Sequence, residues 1–149
     1  MSLLKIRTLG DPVLRSQSRP VKEVTDKTKD LIDNMLKTMQ ENEGVGLAAP
    51  QIGILKRIIV VSFQGEIYRL INPEILKSSG KVIGEEGCLS IPGKRGPVAR
   101  KEVITVRALN EKGKTIEFET RGMLARIIQH EIDHLNGDLF IDKLLDMEL

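Results

Sequence analysis

Residues 129–134 read Gln-His-Glu-Ile-Asp-His, and this His-Glu-x-x-His motif limits the local fold more than any other stretch. If the stretch is helical, His130 and His134 lie one turn apart and their imidazoles point the same way. Two ligands of one metal ion need this arrangement. Glu131 then lies beside the ligands, where its carboxylate can take a proton from a metal-bound water. The motif therefore predicts a helix that carries a metal site.

The few soft ligands of the chain support this interpretation. Both of its histidines lie in the motif, and its one cysteine, Cys88, lies among glycines and carboxylates. A catalytic metal usually takes three protein ligands and leaves one position open, and Cys88, His130 and His134 supply three. Two alternatives stay open: a surface helix that carries the motif by chance, and a cysteine that acts as a small buried apolar residue.

Length and composition narrow the class of protein. The chain has 149 residues, which predicts one domain over residues 1–149, and its 40% hydrophobic and 30% charged residues are typical of a soluble globular protein. A net charge of +2 gives no argument for nucleic-acid binding. One cysteine excludes an internal disulfide framework and fits a reducing compartment. No apolar run is long enough for a signal peptide or a membrane span, so we expect a cytoplasmic protein.

Hydrophobic periodicity predicts the order of the elements. An irregular arm covers residues 1–24, with a short helical piece after Pro12. A helix over residues 25–42 begins at an N-cap, Thr25, and the helix with the motif covers residues 122–136. Runs of β-branched residues predict strands over residues 57–63, 66–71, 103–109 and 115–119.

Turn residues predict how these strands are connected. Residues 64–65, Gln-Gly, form a hairpin turn, and residues 72–73, Asn-Pro, end the strand that follows it. Residues 77–81 read as a polar loop. The glycines near Cys88 predict irregular backbone around this residue.

The second helix predicts more than a pair of ligands. Projected at 100° per residue, Met123 and Ile127 fall on the same stripe as His130 and His134. An apolar stripe continuous with the two histidines is what a pocket beside a metal requires. Ordinary core packing of Met123 and Ile127 is the alternative, and the two interpretations are compatible.

Arg126 falls on the opposite side of this projection, toward solvent. A buried guanidinium without a partner is costly, so we expect its stem to cover the pocket edge while its charge reaches water. From there it could meet the carbonyl or carboxylate groups of a longer peptide. The alternative is a solvated arginine with no part in binding.

Residues 44–53 interrupt the pattern with small side chains that allow a close approach of the backbone. The segment is either a tight connector or the wall of a cleft whose backbone pairs with an extended ligand. Gln51 is its long polar group and could aim an amide N–H at a substrate oxygen.

Three motifs therefore stand in a fixed order: Gly-Val-Gly-Leu-Ala-Ala-Pro-Gln at residues 44–51, Glu-Gly-Cys-Leu-Ser at residues 86–90, and the motif at residues 129–134. Together they resemble the three signature motifs of the peptide deformylase family. The similarity continues through residues 10–15 and 139–142, and so covers nearly the whole chain. It implies an α+β fold in which antiparallel β-sheets pack around a central metal-binding α-helix.

The resemblance also implies an activity and its residues. The family removes the formyl group from the N-terminal formyl-methionine of new polypeptides and releases formate. Cys88, His130 and His134 match its metal ligands, and Glu131 matches its general base. Gln51 and the backbone N–H of Leu89 match the groups that stabilise the oxyanion. Positions near the methionine pocket or the path of the peptide are matched by Val45, Gly46, Gly87, Arg95, Met123, Arg126 and Ile127.

Arg126 is a departure, because the family often has an aliphatic residue at this position. The resemblance implies one divalent metal ion, natively Fe²⁺, and a site with one thiolate would also accept Zn²⁺, Ni²⁺ or Co²⁺. Nascent N-formylmethionyl polypeptides are the implied partners, with no requirement for nucleic acid or membrane. The longer form of the family continues into a basic helix that contacts the ribosome. This chain ends Asp-Met-Glu-Leu at residues 146–149, so we expect no more than a transient contact with the ribosome.

Two other classes of protein share part of this pattern. A zinc endopeptidase also contains His-Glu-x-x-His, but its third ligand is usually a downstream His or Glu, and no third histidine exists here. A structural zinc module takes four ligands, typically with several cysteines. The single cysteine argues against it.

Overall fold

The computed structural model describes residues 4–146, in which two α-helices and seven β-strands are found. Helix α1 spans Asp26–Glu41 and helix α2 spans Gly122–Leu135. The strands are β1 (Gly46–Ala48), β2 (Ile58–Phe63), β3 (Glu66–Ser79), β4 (Val82–Cys88), β5 (Ile91–Arg100), β6 (Val103–Leu109) and β7 (Thr115–Arg121). Short 3-10 helices lie at Pro12–Arg15, Ala49–Ile52 and Phe140–Lys143. The predictions that concern residues 1–3 and 147–149, including the chain end, lie outside the described residues.

All strands pair in antiparallel fashion, which confirms the predicted α+β class. The larger sheet has the order β1-β2-β3-β6-β7, and β4 and β5 form a separate two-stranded sheet. The predicted hairpin between β2 and β3 is present. Its turn has positive φ at both central residues, Gln64 (50°) and Gly65 (81°), as the twist of a two-residue hairpin requires.

The predicted end of β3 at residues 72–73 is wrong. The strand continues to Ser79 through a register shift between Ile71 and Glu74. Asn72 adopts a positive φ of 53°, and its side-chain amide bonds to both backbone groups of Val21. Proline lacks an N–H and is tolerated at such a bulge, so Asn-Pro marks an irregularity inside the strand. The predicted polar loop at residues 77–81 is therefore mostly strand.

The larger sheet packs between the two helices. Strand β2 shows this best, because its side chains alternate between two cores. Ile59 and Val61 face α2, whereas Ile58 and Val60 face α1, so the strand is buried on both faces and reads as a continuous apolar run. The residues of α2 in its core are Leu124, Ala125, Ile127, Ile128, Ile132 and Leu135.

The β4–β5 hairpin belongs to a third, smaller core. Its buried apolar residues Ile91 and Val98 pack against Leu14, Leu139 and Phe140. The predicted irregular backbone around Cys88 is confirmed at Cys88 itself, where the strand register shifts after Gly87 and a turn follows, although β4 pairs without interruption before that point. Neither α1 nor α2, the two α-helices of the described chain, is long and apolar enough to cross a membrane.

Candidate active site

Cys88, His130 and His134 come together where the end of β4 meets the middle of α2. Their ligand atoms lie within 4.8 Å of one another, and His134 Nε2 is 3.4 Å from Cys88 Sγ. One ion with bonds of about 2.0–2.3 Å bridges donors at such a spacing. One thiolate and two imidazoles leave a coordination position open, which is the donor set of a catalytic metal site. The three residues therefore fit a metal ion.

The two histidine rings are held differently. His130 Nδ1 donates to Glu86 Oε1 over 2.9 Å, and its ring stacks on Phe140 with the centroids 6.0 Å apart. This bond leaves Nε2 of His130 for a metal. Nδ1 of His134 is buried and has no partner between residues 4 and 146. Burial lowers the pKa of His134 well below its usual range, so this ring is in the neutral form that a metal ligand needs.

Glu86 is the centre of a buried charge network. Its carboxylate accepts hydrogen bonds from Arg100 Nη2 at 2.8 Å and Arg126 Nη1 at 2.5 Å, besides His130. Burial raises the pKa of Glu86, but the hydrogen bonds from Arg100 and His130 outweigh burial and hold this pKa well below its usual range. Arg100 also donates to Asp133, which directly precedes His134 on α2. Glu86 is therefore an ionised acceptor that orients His130.

Glu131 points into the same site. Its side chain is buried, and Oε1 has no hydrogen-bond partner among the described residues. Burial raises the pKa of Glu131 to about 7. The backbone of Gly46 passes so close that a Cβ on this glycine would lie 2.6 Å from Glu131 Oε2. A carboxylate with this pKa and an unpaired oxygen can accept and return a proton near neutral pH.

Gln51 has a fixed orientation on the 3-10 helix Ala49–Ile52. Its Oε1 accepts from the backbone N–H of Ala48 over 2.9 Å, so Nε2 must point the other way. Nε2 donates to Ser90 Oγ over 3.1 Å and lies 3.5 Å from Cys88 Sγ. The amide N–H thus points toward Cys88 and into the cavity, and the predicted contact with a substrate oxygen stays a prediction.

These groups lie in a cavity of about 430 Å³. On one side is the β1 wall, formed by β1 and the segment around it, and on the other is the hairpin wall, formed by β4 and β5. Helix α2 lies between the two walls. Each residue predicted to contact substrate lines this cavity: Val45, Gly46, Gly87, Arg95, Met123, Arg126 and Ile127, together with Gln51, Leu89 and Glu131.

The cavity mouth is apolar on one side and charged on the other. Val45 and Met123 are each 55% exposed and form an apolar rim. Arg95 Nε donates to Glu85 Oε1 over 2.7 Å, and both side chains are largely exposed. A Cβ on Gly87 would lie 2.6 Å from Arg95 Nη1, so this arginine lies across the end of β4.

The prediction for Arg126 is wrong. Its side chain is 6% exposed, and its guanidinium bonds to protein instead of reaching water. Nη1 donates to Glu86 Oε2 and to the carbonyl of Val98 over 3.0 Å, and Nη2 donates to the carbonyl of Val82 over 2.7 Å. The helix projection placed Arg126 opposite the core of α2, but it contained no information about the β4–β5 hairpin that covers this side.

Sequence reasoning missed the groups that orient the site. Glu86 and Ser90 lie two residues on either side of Cys88, inside a motif that was read only for its cysteine and its Leu89 N–H. In a strand, residues two apart face the same way, so Glu86 could have been noticed as a carboxylate on the side of Cys88. Nothing in the local sequence marks Arg100 or Phe140.

Comparisons with known proteins agree with this geometry. A family model described as polypeptide deformylase matches residues 3–149. The chain is 58% identical over 147 residues to peptide deformylase from Halothermothrix orenii, covering 97% of this chain and 96% of that one. It is 52% identical over 143 residues to peptide deformylase from Clostridium botulinum, covering 96% and 97%.

Solved structures show the same similarity. The peptide deformylase of Thermotoga maritima superposes with a TM-score of 0.96 at 41% identity, over 98% of this chain and 100% of that one. A peptide deformylase from Acinetobacter baumannii, solved with Met-Ala-Ser bound, superposes with a TM-score of 0.93 at 38% identity, over 96% and 99%. The chain belongs to the peptide deformylase family, and it is an enzyme of this type.

Proposed function

We propose that this enzyme hydrolyses the formyl group from the N-terminal formyl-methionine of newly synthesised polypeptides and releases formate. The observation that carries the proposal is the buried carboxylate of Glu131, which has an unpaired oxygen beside the cluster of Cys88, His130 and His134. The Met-Ala-Ser bound to the relative from Acinetobacter baumannii corresponds to a peptide from which the formyl group has been removed. Residues 1–149 then form one catalytic domain, which acts in the cytoplasm, where its substrates are made.

Cys88, His130 and His134 hold one divalent ion in this proposal. Fe²⁺ is the native ion, and Zn²⁺, Ni²⁺ and Co²⁺ fit the same donors. Such an ion lowers the pKa of a bound water and polarises a carbonyl, so that hydroxide is available near neutral pH. Glu86 keeps His130 in the tautomer that offers Nε2 to the ion.

Glu131 moves the proton. Its carboxylate takes one proton from the attacking water and then gives it to the methionine nitrogen as the carbon–nitrogen bond breaks. The products are formate and a free amino terminus, so water supplies both the oxygen and the proton. A pKa of about 7 for Glu131 suits both halves of this transfer.

Gln51 and Leu89 stabilise the charge that develops on the formyl oxygen. The Gln51 amide donates from one side of Cys88 and the Leu89 backbone N–H from the other. Donors fixed before the reaction do not have to reorganise during it, and the bonds of Gln51 to Ala48 and Ser90 provide this fixation.

The peptide lies along β1 in this proposal. Within residues 4–146 this strand lies at the edge of the sheet and pairs with β2 alone, so its other edge can add a strand beside Gly46, whereas the N–H of Ala48 is taken by Gln51. The methionine side chain enters between Val45, Met123 and Ile127. Gly46 and Gly87 let the backbones approach closely, and Arg95 contacts the peptide further along.

One assay separates this function from that of an endopeptidase. The purified enzyme is incubated with formyl-Met-Ala-Ser and with casein, and formate and new peptide termini are measured. We expect formate release from the first and no cleavage of the second. Casein cleavage without formate release would contradict the proposal.

A further inference from the structure

The two elements that carry the potential metal ligands meet mainly through charged groups. The apolar residues of α2 pack on the larger sheet. Those of the β4–β5 hairpin pack on Leu14, Leu139 and Phe140. Neither core joins an apolar residue of β4 or β5 to one of α2, and the ring of His130 reaches the hairpin's core by stacking on Phe140. The direct bonds between the hairpin and α2 near Cys88 are therefore those of polar and charged side chains.

Arg126 makes the largest number of these connections. From α2 it donates to the carbonyls of Val82 on β4 and Val98 on β5, and to the carboxylate of Glu86. One side chain thus ties both strands of the hairpin to the helix. Every acceptor lies on the hairpin, so these bonds would all be lost if hairpin and helix moved apart.

Gly84 provides the space for this guanidinium. A Cβ on Gly84 would lie 3.1 Å from Arg126 Cζ and 3.2 Å from its Nε and Nη2. Gly84 is absent from the described residues with positive φ, so a turn does not explain the glycine. The hairpin is shaped to receive a flat cation at this point.

Arg126 belongs to a network of ion pairs. Glu86, Arg100 and Arg126 are its buried members, and Arg100 also pairs with the half-buried Asp133, which a largely exposed Lys143 contacts as well. Arg100 and Arg126 are each 6% exposed, and Glu86 is 5% exposed. Removing one member of such a network leaves a buried charge without compensation.

We propose that Arg126 is a positioning residue that holds the β4–β5 hairpin against α2 and thereby keeps Cys88 at ligating distance from the two histidines. The proposal rests on the metal site of the proposed function. It gives the departure from an aliphatic residue at this position a role in building the site, without direct contact between Arg126 and the ion.

The test uses Co²⁺ binding to the metal-free full-length protein. Affinity is measured by competition with a chelator, and the sulfur-to-cobalt absorption band reports ligation by Cys88. Arg126→Leu removes the guanidinium and all of its bonds to the hairpin. Gly84→Ala adds a Cβ that presses against the guanidinium but keeps its charge. Arg107→Leu is the matched control, because Arg107 bonds to Glu74 in an exposed pair on the larger sheet.

We expect Co²⁺ affinity to fall about 10–100-fold in Arg126→Leu, the range seen when groups outside the ligand set are removed, and by a smaller factor in Gly84→Ala, whose Cβ moves the guanidinium by only a few tenths of an ångström. The sulfur-to-cobalt band should weaken in both, whereas Arg107→Leu should match the parent. Arg126→Lys keeps the charge and should recover part of the affinity. Far-ultraviolet circular dichroism shows which variants are folded, and Gly84→Ala decides the question if Arg126→Leu does not fold.

Parent-like affinity and band intensity in folded Arg126→Leu or Gly84→Ala overturn the proposal. A parent without a sulfur-to-cobalt band also overturns it, because Cys88 would then not be a ligand. These readouts do not depend on catalysis. A parent that binds Co²⁺ through Cys88 but releases no formate would refute the proposed function. The role of Arg126 would then still be decided by the Co²⁺ affinities of its variants.

Discussion

The β1 wall and the hairpin wall face each other across α2, and they are held in place by different forces. The β1 wall continues the larger sheet, and Leu47 and Ala48 are buried in its two cores. The hairpin wall reaches α2 through Glu86, Arg100 and Arg126, which are buried charges. The β1 wall thus meets α2 through apolar packing. The hairpin wall, which carries Cys88, has its own apolar core but meets α2 through ion pairs.

This difference predicts how each wall responds to substitution. The stabilisation from apolar burial is non-directional and roughly proportional to the buried area, so one small substitution reduces stability only in proportion to the area lost. A buried ion network is stable only when it is complete, because a remaining partner keeps its desolvation cost without its attraction. A substitution in the ion network of the hairpin wall should therefore reduce the stability of the protein, whereas a small substitution in the β1 wall should reduce only its catalytic activity.

Glu131→Gln should have the largest effect on activity, because Glu131 lies on α2 between the two walls and is the proposed proton acceptor. The amide cannot accept a proton, so activity on formyl-Met-Ala-Ser should fall about 10²–10⁴-fold while metal content stays unchanged. Steady-state kinetics and elemental analysis measure the two quantities. Activity within a few-fold of the parent would refute the role of Glu131.

The pH profile of the parent tests the same residue. Burial raises the pKa of Glu131 to about 7, and a metal ion bound beside Glu131 would lower this pKa. Only the ionised carboxylate can accept a proton. We therefore expect kcat/KM to fall as pH decreases through a value at or below about 7. An acid limb centred well above 7 would contradict this assignment.

Glu86→Ala should break the hairpin wall. It leaves the guanidinium groups of Arg100 and Arg126 with one carboxylate fewer, and we expect the free energy of unfolding to fall by about 3–5 kcal/mol. Urea denaturation measures this change. Glu74→Ala removes an exposed partner of Arg107 and should cost less than about 1 kcal/mol. Equal losses in the two variants would mean that the buried network contributes no more than a surface pair.

Gly46→Ala should change the β1 wall without unfolding it. The new Cβ would lie 2.6 Å from Glu131 Oε2, so the carboxylate must shift, and a shift of this kind can reduce kcat/KM about 10²-fold. Gly96→Ala is the control, since its Cβ would meet the flexible end of Leu144 at the same distance. The expectation fails if Gly46→Ala reduces kcat/KM no more than Gly96→Ala does, or if its loss of activity is explained by an equal loss of folded protein.

Ser90→Ala should have the smallest effect. It removes the acceptor of Gln51 Nε2 but leaves the bond between Ala48 and Gln51 Oε1 intact. One such hydrogen bond contributes about 0.5–1.5 kcal/mol, so kcat/KM should fall by roughly tenfold at most. A larger loss would show that Ser90, and not Ala48, fixes the amide.

Local sequence patterns gave more information about one of the two walls than about the other, although they left residues 44–53 as either a tight connector or the wall of a cleft. The 3.6-residue period located α2 and the stripe of Met123 and Ile127 beside the histidines, and small residues marked the approach of the β1 wall. Gln51 was found because it was the long polar group in that loop. Each of these inferences depends on neighbours in sequence.

The hairpin wall depends on neighbours in space. Glycines near Cys88 suggested irregular backbone, whereas Gly84 provides room for Arg126 and Gly87 lies under Arg95. Arg126 was expected at the surface because its partners lie 28 to 44 residues away along the chain. The pattern of apolar residues within α2 cannot show that the β4–β5 hairpin covers the side on which Arg126 lies.

The two edges of the larger sheet carry different risks of unwanted association. An unpaired strand edge can template other chains as readily as it accepts a substrate. The accepting edge, β1, is only three residues long, enough to align a short peptide and too little to start an extended cross-chain ladder. At the opposite edge, β7 is longer and alternates its half-buried residues with the exposed charges of Glu117, Glu119 and Arg121. In the proposed mode of peptide binding, the sheet would thus accept one extended chain at β1, whereas the charges on β7 discourage further strands at the other edge.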